Sequence, residues 1–256
     1  MKRLPAVLAL VLSFGVAAVC VGLGLWQLRR LEEKQALNTR LRQALTAAPV
    51  ALSAADALVA RGAPADSLRL LRFEARGHYD ETHQFLLMGR AHEGDPGVEV
   101  VTPLVPDDGG PAVLVNRGWV PAIDAVTARP EEYPVPGPQV VVGLAERLAH
   151  GGRATPFHRI EIDTLDVWSA ARLDADSITT RLPYPVRPYA LRALPDASDS
   201  AAATGGATAP ARTIRSPARP YDETMHRSYA AQWFSFAAIF VIGSLVLVFK
   251  PRKAPQ

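Results

Sequence analysis

The sequence has little with which to cross-link itself or to perform covalent chemistry. Its 256 residues include one cysteine, Cys20, which excludes a disulfide framework and a CxxC-type zinc or redox site. Lys34 is the only lysine away from the chain ends, and the sequence lacks G-x-S-x-G, H-E-x-x-H, Walker A and G-x-G-x-x-G motifs. No nucleophile–base pair typical of a hydrolase is recognisable either. These absences predict a protein that is not an enzyme.

Basic charge is concentrated at the two ends of the chain. The net charge is +3, from 28 Lys and Arg against 25 Asp and Glu. Five basic residues lie in tails without any acid: Lys2, Arg3, Lys250, Arg252 and Lys253. The rest of the chain therefore has 23 basic against 25 acidic residues. A slightly acidic middle predicts no nucleic-acid partner.

Two long runs contain no charged residue, namely residues 4–25 and 229–249. As a helix, about 22 residues reach about 33 Å, enough to cross the hydrocarbon core of a bilayer. The first run is longer than the core of a usual signal peptide. It is therefore predicted to be an uncleaved anchor, with a cleaved signal peptide as the alternative. Membrane lipid is a predicted partner of both runs.

The basic tails predict the orientation of these spans. Short basic segments beside a span stay on the cytoplasmic side, whereas long loops cross regardless of their charge. Both termini are therefore expected in the cytoplasm and the large loop outside. Arg29, Arg30 and Lys34 just after the first span are a competing signal. The predicted location is a bacterial inner membrane, spanned twice, with a periplasmic loop.

The composition divides the chain into five predicted segments. These are an N-terminal transmembrane helix (1–28), a periplasmic β-rich domain with flanking helices (29–195), a disordered linker (196–220), a C-terminal transmembrane helix (221–249) and a cytoplasmic basic tail (250–256). Strand-forming runs are predicted at 68–75, 84–88, 98–105, 112–119, 139–147 and 186–194. Helices are predicted at 29–47 and at 164–175, the latter capped by Asp163 or Thr164. The expected fold is an α+β membrane protein with two transmembrane helices flanking an antiparallel, barrel-like extracytoplasmic domain.

Clustered polar residues offer few candidate sites. The densest cluster runs from His78 to His83, but a separation of five residues places two histidines on opposite faces of a strand. A solvated turn is therefore favoured over a metal site. Asn116 and Arg117 lead into a predicted turn at Gly118, and Trp119 is followed closely by Pro121, which is typical of a structural corner in a sheet.

The outer ends of the two spans form the most specific constellation. If both spans cross, Trp26 and Arg30 lie at the same depth as His226 and Trp233. On a helix His226, Ala230 and Trp233 share one face, and the small Ala230 leaves space beside the imidazole. A neutral imidazole is a good axial ligand for haem iron, and arginines such as Arg30 and Arg227 pair with propionates. From these residues alone, an interfacial or capping histidine remains the default interpretation.

Four motifs, in order along the chain, resemble one known family. They are Gly24-Leu25-Trp26-Gln27-Leu28-Arg29-Arg30 after the first span, Gly77-His78-Tyr79, Thr102-Pro103-Leu104 with VLVNRGWVP at 113–121, and H-x-x-Y-A-x-x-W-F, filled by His226, Tyr229, Ala230, Trp233 and Phe234. Together they resemble the Surfeit locus protein 1 family.

The resemblance implies an assembly factor for haem–copper cytochrome c oxidase. Such a factor assists haem a delivery or insertion into subunit I, with that subunit and the haem a synthesis machinery as partners. It implies transient haem a binding, with His226 as a possible iron ligand and with further contacts from Arg227, Tyr229, Trp233, Trp26 and Arg30. The alternative is a non-catalytic scaffold that holds oxidase subunits without haem. In that alternative the spans meet through Ala18/Gly22 and Ala231/Ser235, at small-xxx-small spacing.

Overall fold

A computed structural model describes residues 4–149, 156–162, 165–196 and 211–249. Long helices, α1 (Leu4–Thr46) and α4 (Thr224–Phe249), contain the two uncharged runs. Both are long and apolar enough to cross a membrane, which fits a membrane protein. The helix predicted at 29–47 is confirmed as the continuation of α1. The chain forms two compact units, one of residues 1–42 with 219–256 and the other of residues 43–218.

In the first unit, α1 and α4 run antiparallel. Ser244 Oγ donates to Ser13 Oγ at 2.7 Å, and Gln27 contacts His226 at the other end of the apolar region. Between these points Gly24 faces the ring of Phe234, and a Cβ on Gly24 would lie 2.8 Å from the ring carbons. The glycine thus permits close packing of the two helices.

The helix contact does not use the small residues that the sequence indicated. Ala18, Gly22, Ala231 and Ser235 are exposed, and a Cβ on Gly22 would meet no heavy atom within 4 Å. The Ser235 hydroxyl donates to a carbonyl of its own helix, Ala231 O. That prediction was wrong because spacing identifies a face of a helix but not which face meets the neighbouring helix.

The second unit is β-rich. After α1 come β1 (Val50–Ala51), α2 (Leu52–Ala60) and a 3₁₀ turn (Ala65–Leu68), followed by the strands and a short helix in this order: β2 (Arg72–Tyr79), β3 (His83–His92), β4 (Asp95–Pro106), β5 (Ala112–Pro121), β6 (Pro138–Arg147), β7 (His158–Ile162), β8 (Leu165–Ala170), α3 (Ala175–Thr179) and β9 (Val186–Ala193). A second 3₁₀ turn (Pro130–Glu132) precedes β6.

Five of these strands close a barrel. The pairing order is β2-β6-β9-β5-β4, and β4 also pairs with β2 through Gly77↔Pro106. The sheet extends beyond β4 through β3, β8 and β7, while β1 lies beside β2. Inward-facing side chains such as Phe73, Val141 and Leu191 are almost fully buried and pack with α2 in one core cluster. The predicted barrel-like fold is therefore confirmed.

Most predicted strands lie within observed ones, but two regions differ. The strand predicted at 68–75 begins only at Arg72, because Leu68 ends a 3₁₀ turn and Leu70 has φ 67°. The helix predicted at 164–175 was wrong, since Leu165–Ala170 is a strand that pairs in parallel with β3. Its predicted caps, residues 163–164, lie outside the described residues. The helix there is instead α3, capped by Asp174, whose carboxylate accepts from Ser177 N.

The predicted disordered linker, 196–220, differs in its last part. Residues 197–210, like the basic tail at 250–256, lie outside the described residues. Residues 211–218 form a strap along β5: Ile214 pairs with Trp119 in an antiparallel bridge, and Thr213 Oγ1 donates to Arg117 O at 2.7 Å. The scarcity of large apolar residues predicted disorder for this segment. The strap is instead held by the backbone hydrogen bonds between Ile214 and Trp119, which require no apolar burial.

Gly118 makes the strap contact possible, which gives a testable prediction. Its φ is +125°, and a Cβ there would lie 2.5 Å from Ile214 O. We expect Gly118→Ala to lower the free energy of unfolding by about 1–2 kcal/mol for the backbone conformation, with about 1–3 kcal/mol more for the clash. Gly109→Ala is the matched control, since Gly109 has φ +75° and open space around it. Equal losses in chemical denaturation would contradict the proposed clash.

Candidate functional site

The site predicted from sequence centres on His226, in the first turn of α4. Its Nδ1 lies 2.8 Å from Oε1 of Gln27 on α1. Gln27 is 9% exposed, whereas His226 is half-buried. The hydrogen bond therefore joins a polar residue inside the helix pair to a histidine that stays partly exposed.

Small residues follow His226 along the same face of α4. Ala230 is 3% exposed and Ala237 is 6% exposed. The methyl group of Ala230 is covered, so it does not border the open space that the sequence suggested beside the imidazole.

The other predicted site residues lie on the surface of the helix pair. Trp26 is 52% exposed and Tyr229 is 47% exposed, and Arg227 is exposed as well. Trp233 is half-buried and contacts Phe236 edge to face, with ring centroids 5.9 Å apart. Arg30 Nη1 pairs with Glu33 Oε2 of its own helix at 2.6 Å. Within the described part of the chain, none of these five residues forms a hydrogen bond or ion pair with His226.

Asn38, a polar residue that was not predicted as part of the site, fixes the start of α4. Asn38, 2% exposed, donates from Nδ2 to Tyr221 O at 2.9 Å and to Glu223 Oε1 at 2.7 Å, and its Oδ1 accepts from Tyr221 N at 2.7 Å. Gln35 also donates to Glu223, and both hydrogen bonds hold the pKa of this carboxyl below its usual value. These contacts attach the segment before His226 to α1.

The spacing of Asn38 and Gln27 offered a signal for both residues. They are eleven residues apart, about three helical turns, and therefore lie on nearly the same face of α1. An uncharged amide that recurs on one face of a helix leaving the membrane indicates a polar seam against a partner. Gln27 lies in the motif that follows the first span, but the motif by itself assigns it no role.

In the β-rich unit, Arg117 occupies a buried polar network. Its side chain is 2% exposed and donates from Nη1 to Thr102 Oγ1 at 3.3 Å and from Nη2 to Tyr133 O. The guanidinium lies 5.2 Å from the ring centroid of Tyr79. Because Arg117 connects β5, β4 and the loop before β6, the structural interpretation of this motif fits its surroundings.

The His78–His83 cluster forms a turn between β2 and β3. His78 pairs with Asp107 at 3.1 Å and His83 with Asp80 at 2.7 Å, so the two histidines have different partners. Over the described ranges, no group of three or more His, Cys, Asp or Glu side chains is placed to hold a metal ion. The turn is less solvated than predicted, because the side chain of Asp80 is only 16% exposed.

The environment of Asp80 predicts a pH dependence of stability. Burial opposes its ionisation, but hydrogen bonds from Tyr184 Oη (2.5 Å) and His83 outweigh burial and lower the pKa of Asp80 below its usual value. A depressed folded-state pKa stabilises the protein above the unfolded pKa of about 3.9 and loses this effect as the pH falls below it. We expect Tyr184→Phe to cost about 1.5 kcal/mol at pH 7 and progressively less below pH ~3.9.

Urea unfolding at pH 7 and pH 3 measures this difference. Tyr133→Phe is the matched control, because among the described residues the Tyr133 hydroxyl forms no hydrogen bond. A Tyr184→Phe loss that stays constant between the two pH values would contradict the role of Asp80.

Comparison with known proteins places these features in a family. The SURF1 family model matches residues 14–238, a range that includes Gln27, the barrel and His226. Surfeit locus protein 1 of Mus musculus is 31% identical over 125 residues, covering 41% of this chain and 37% of the relative. The protein of the same name from Rattus norvegicus is 28% identical over 179 residues, covering 62% and 54%.

A bacterial relative gives a similar match. A SURF1-like protein of Mycobacterium bovis is 28% identical over 159 residues, covering 62% of this chain and 48% of the relative. In these three matches the chain spans 54% or less of the relative's length. Because the family match extends over 14–238 and unites both apolar helices with the barrel, the chain belongs to the SURF1 family.

Proposed function

We propose that this protein is a non-catalytic assembly factor for haem–copper cytochrome c oxidase that assists haem a delivery or insertion into subunit I. The observation that supports it most directly is His226, a half-buried imidazole held by Gln27 where two membrane-capable helices meet. Membership of the SURF1 family supports the same assignment. In this proposal haem a is cargo and the protein turns over no substrate.

The residues predicted to act with His226 are of types that suit such a cargo. An imidazole nitrogen is a common axial ligand of haem iron. Trp26 and Tyr229 leave about half of their surfaces open to a flat apolar ring. Arg227 is exposed and can pair with a propionate, whereas Arg30 is already paired with Glu33. The chain thus offers one iron ligand, apolar contacts and at least one charge partner.

We place the protein in a bacterial inner membrane with both termini in the cytoplasm and the β-rich unit in the periplasm. Haem a would then be received at the outer ends of α1 and α4, close to the surface of the lipid. Oxidase subunit I and the haem a synthesis machinery are the partners in this proposal. The basic tails support the orientation through the positive-inside rule.

The test is the spectrum of the full chain, purified in detergent from cells that make haem a. We expect a Soret band and a pyridine haemochrome typical of haem a, both absent when cells lack haem a synthase. Deleting the protein should lower oxidase activity and haem a occupancy while the oxidase polypeptides are still made. Normal haem a content in the deletion strain would overturn the proposal.

The second candidate is a scaffold that holds oxidase subunits without binding haem. It is favoured by the exposed small residues Ala18 and Gly22, which leave one face of α1 open to a partner helix. A colourless protein that still copurifies with subunit I would support the scaffold. In that case Gly22→Leu, which fills the open face of α1, should abolish the copurification.

A further inference from the structure

We infer that Gln27 is a positioning residue that holds His226 as the Nδ1–H tautomer and thereby presents Nε2 to an iron-bearing ligand. This inference rests on the proposed function, because it explains how the histidine of the same site is held. Its basis is the 2.8 Å contact between His226 Nδ1 and Gln27 Oε1. A carbonyl oxygen only accepts hydrogen bonds, so the proton of the neutral ring lies on Nδ1. The lone pair then lies on Nε2.

The burial of the two partners supports this division of roles. Gln27 is 9% exposed and its amide lies inside the helix pair, so water competes poorly for Oε1. His226 is half-buried, so part of this residue stays exposed. A polar side chain at this depth is costly unless it is paired, and His226 is the hydrogen-bond partner of Gln27.

Packing on both sides of the hydrogen bond limits its movement. Toward the apolar region, Gly24 allows the ring of Phe234 to approach the backbone of α1. Toward the other end, Asn38 holds the segment that leads into α4 through Tyr221 and Glu223. The position of the imidazole is therefore fixed by its contact with Gln27. α4 is also held against α1 about one turn away, at Gly24, and about three turns away, at Asn38.

An acceptor on Nδ1–H has two effects on a metal-binding histidine. It selects the tautomer and the ring orientation, and it raises the basicity of the other nitrogen. The competing role is simple interhelical attachment, in which Gln27 contributes to packing alone. The Gln27→Glu substitution distinguishes positioning from packing, because a carboxylate keeps the hydrogen-bond acceptor at this position and makes it stronger.

The first experiment uses the full chain without haem, labelled with ¹⁵N-histidine, in detergent. Long-range ¹H–¹⁵N spectra distinguish the two tautomers, and His226→Ala identifies the signal. We expect Nδ1–H in the native protein and in Gln27→Glu, and a shift toward Nε2–H in Gln27→Leu. A native His226 protonated on Nε2, or a tautomer unchanged in Gln27→Leu, would overturn the inference.

The second experiment titrates the same proteins with haem a. We expect Gln27→Leu to bind haem a roughly 10–100-fold more weakly than the native protein, which is the usual cost of losing such a partner. Gln27→Glu should bind haem a about as tightly as the native protein. Ser13→Ala is the matched control, because it breaks the contact with Ser244 between the same helices without touching His226. Equal losses in Gln27→Leu and Gln27→Glu, or a comparable loss in Ser13→Ala, would show packing instead and overturn the inference.

The two proposals fail in different ways. If His226→Ala binds haem a as tightly as the native protein, the ligand role of His226 fails, together with the use of Nε2. If His226→Ala loses haem a but Gln27→Leu does not, only the positioning role of Gln27 fails.

Discussion

Replacing His226 by alanine is expected to leave the purified protein without haem a. The substitution removes the only histidine of α4 and with it the proposed bond to iron. We expect the loss of affinity to exceed the roughly 10–100-fold that follows from losing a partner of a metal ligand. The measurement is the haem a retained per polypeptide after purification from cells that make haem a.

The control for this prediction is His158→Ala. His158 is an exposed histidine on β7, in the other compact unit, and its loss should leave the haem a content unchanged. Circular dichroism of both variants checks that the helices are retained. Full haem a retention by His226→Ala would contradict the assignment of His226 as a ligand.

The second large effect concerns an ion pair between α2 and the barrel. Arg187 on β9 is 2% exposed, and its Nε and Nη2 donate to the two carboxylate oxygens of Asp56 at 2.8 and 2.6 Å. Arg187 also donates to Pro111 O. Burial lowers the pKa of Arg187, but the hydrogen bonds and charge of Asp56 outweigh it and raise the pKa above its usual value. The pair is thus buried on the arginine side only.

This asymmetry predicts unequal costs of removing the two partners. We expect Asp56→Ala to lower the free energy of unfolding by about 3 kcal/mol, because a buried guanidinium loses its counter-charge. That corresponds to a fall in Tm of roughly 6–12 °C for a chain of this size. Arg187→Met should cost about 1 kcal/mol, since Asp56 is 39% exposed and becomes hydrated.

A double-mutant cycle in thermal unfolding tests this explanation. The variant with both substitutions should be more stable than Asp56→Ala alone, because no unpaired buried charge remains. Equal effects of the two single substitutions would mean that packing, and not the buried charge, dominates the contribution of this pair.

The sequence predicted the features that depend on local pattern. Two uncharged runs of about twenty residues specified α1 and α4, because span length is set by the thickness of the bilayer. The strands predicted at 84–88 and 98–105 flank the turn between β3 and β4, where Glu93 and Gly94 both have positive φ. The H-x-x-Y-A-x-x-W-F motif selected His226, although nothing local indicated its partner.

Other features needed contacts between residues far apart in the chain. Residues 165–170 have a pattern compatible with a helix, and their pairing with β3 decides in favour of a strand. The strap at 211–218 is polar and poor in large side chains, but β5 offers it backbone partners. The amino-acid composition predicts neither the strand nor the strap, because hydrogen bonds with a distant strand supply the free energy that decides the local structure.

The sequence by itself determined that this chain has two membrane-capable helices, a β-rich unit between them and a histidine at the start of the second helix. Only the tertiary structure decided that Gly24 and Gln27, and not Ala18 and Gly22, meet α4. Periodicity defines the faces of a helix, but the partner selects among them through packing and hydrogen bonds. The same reason explains why His226 could be predicted and its contact with Gln27 could not.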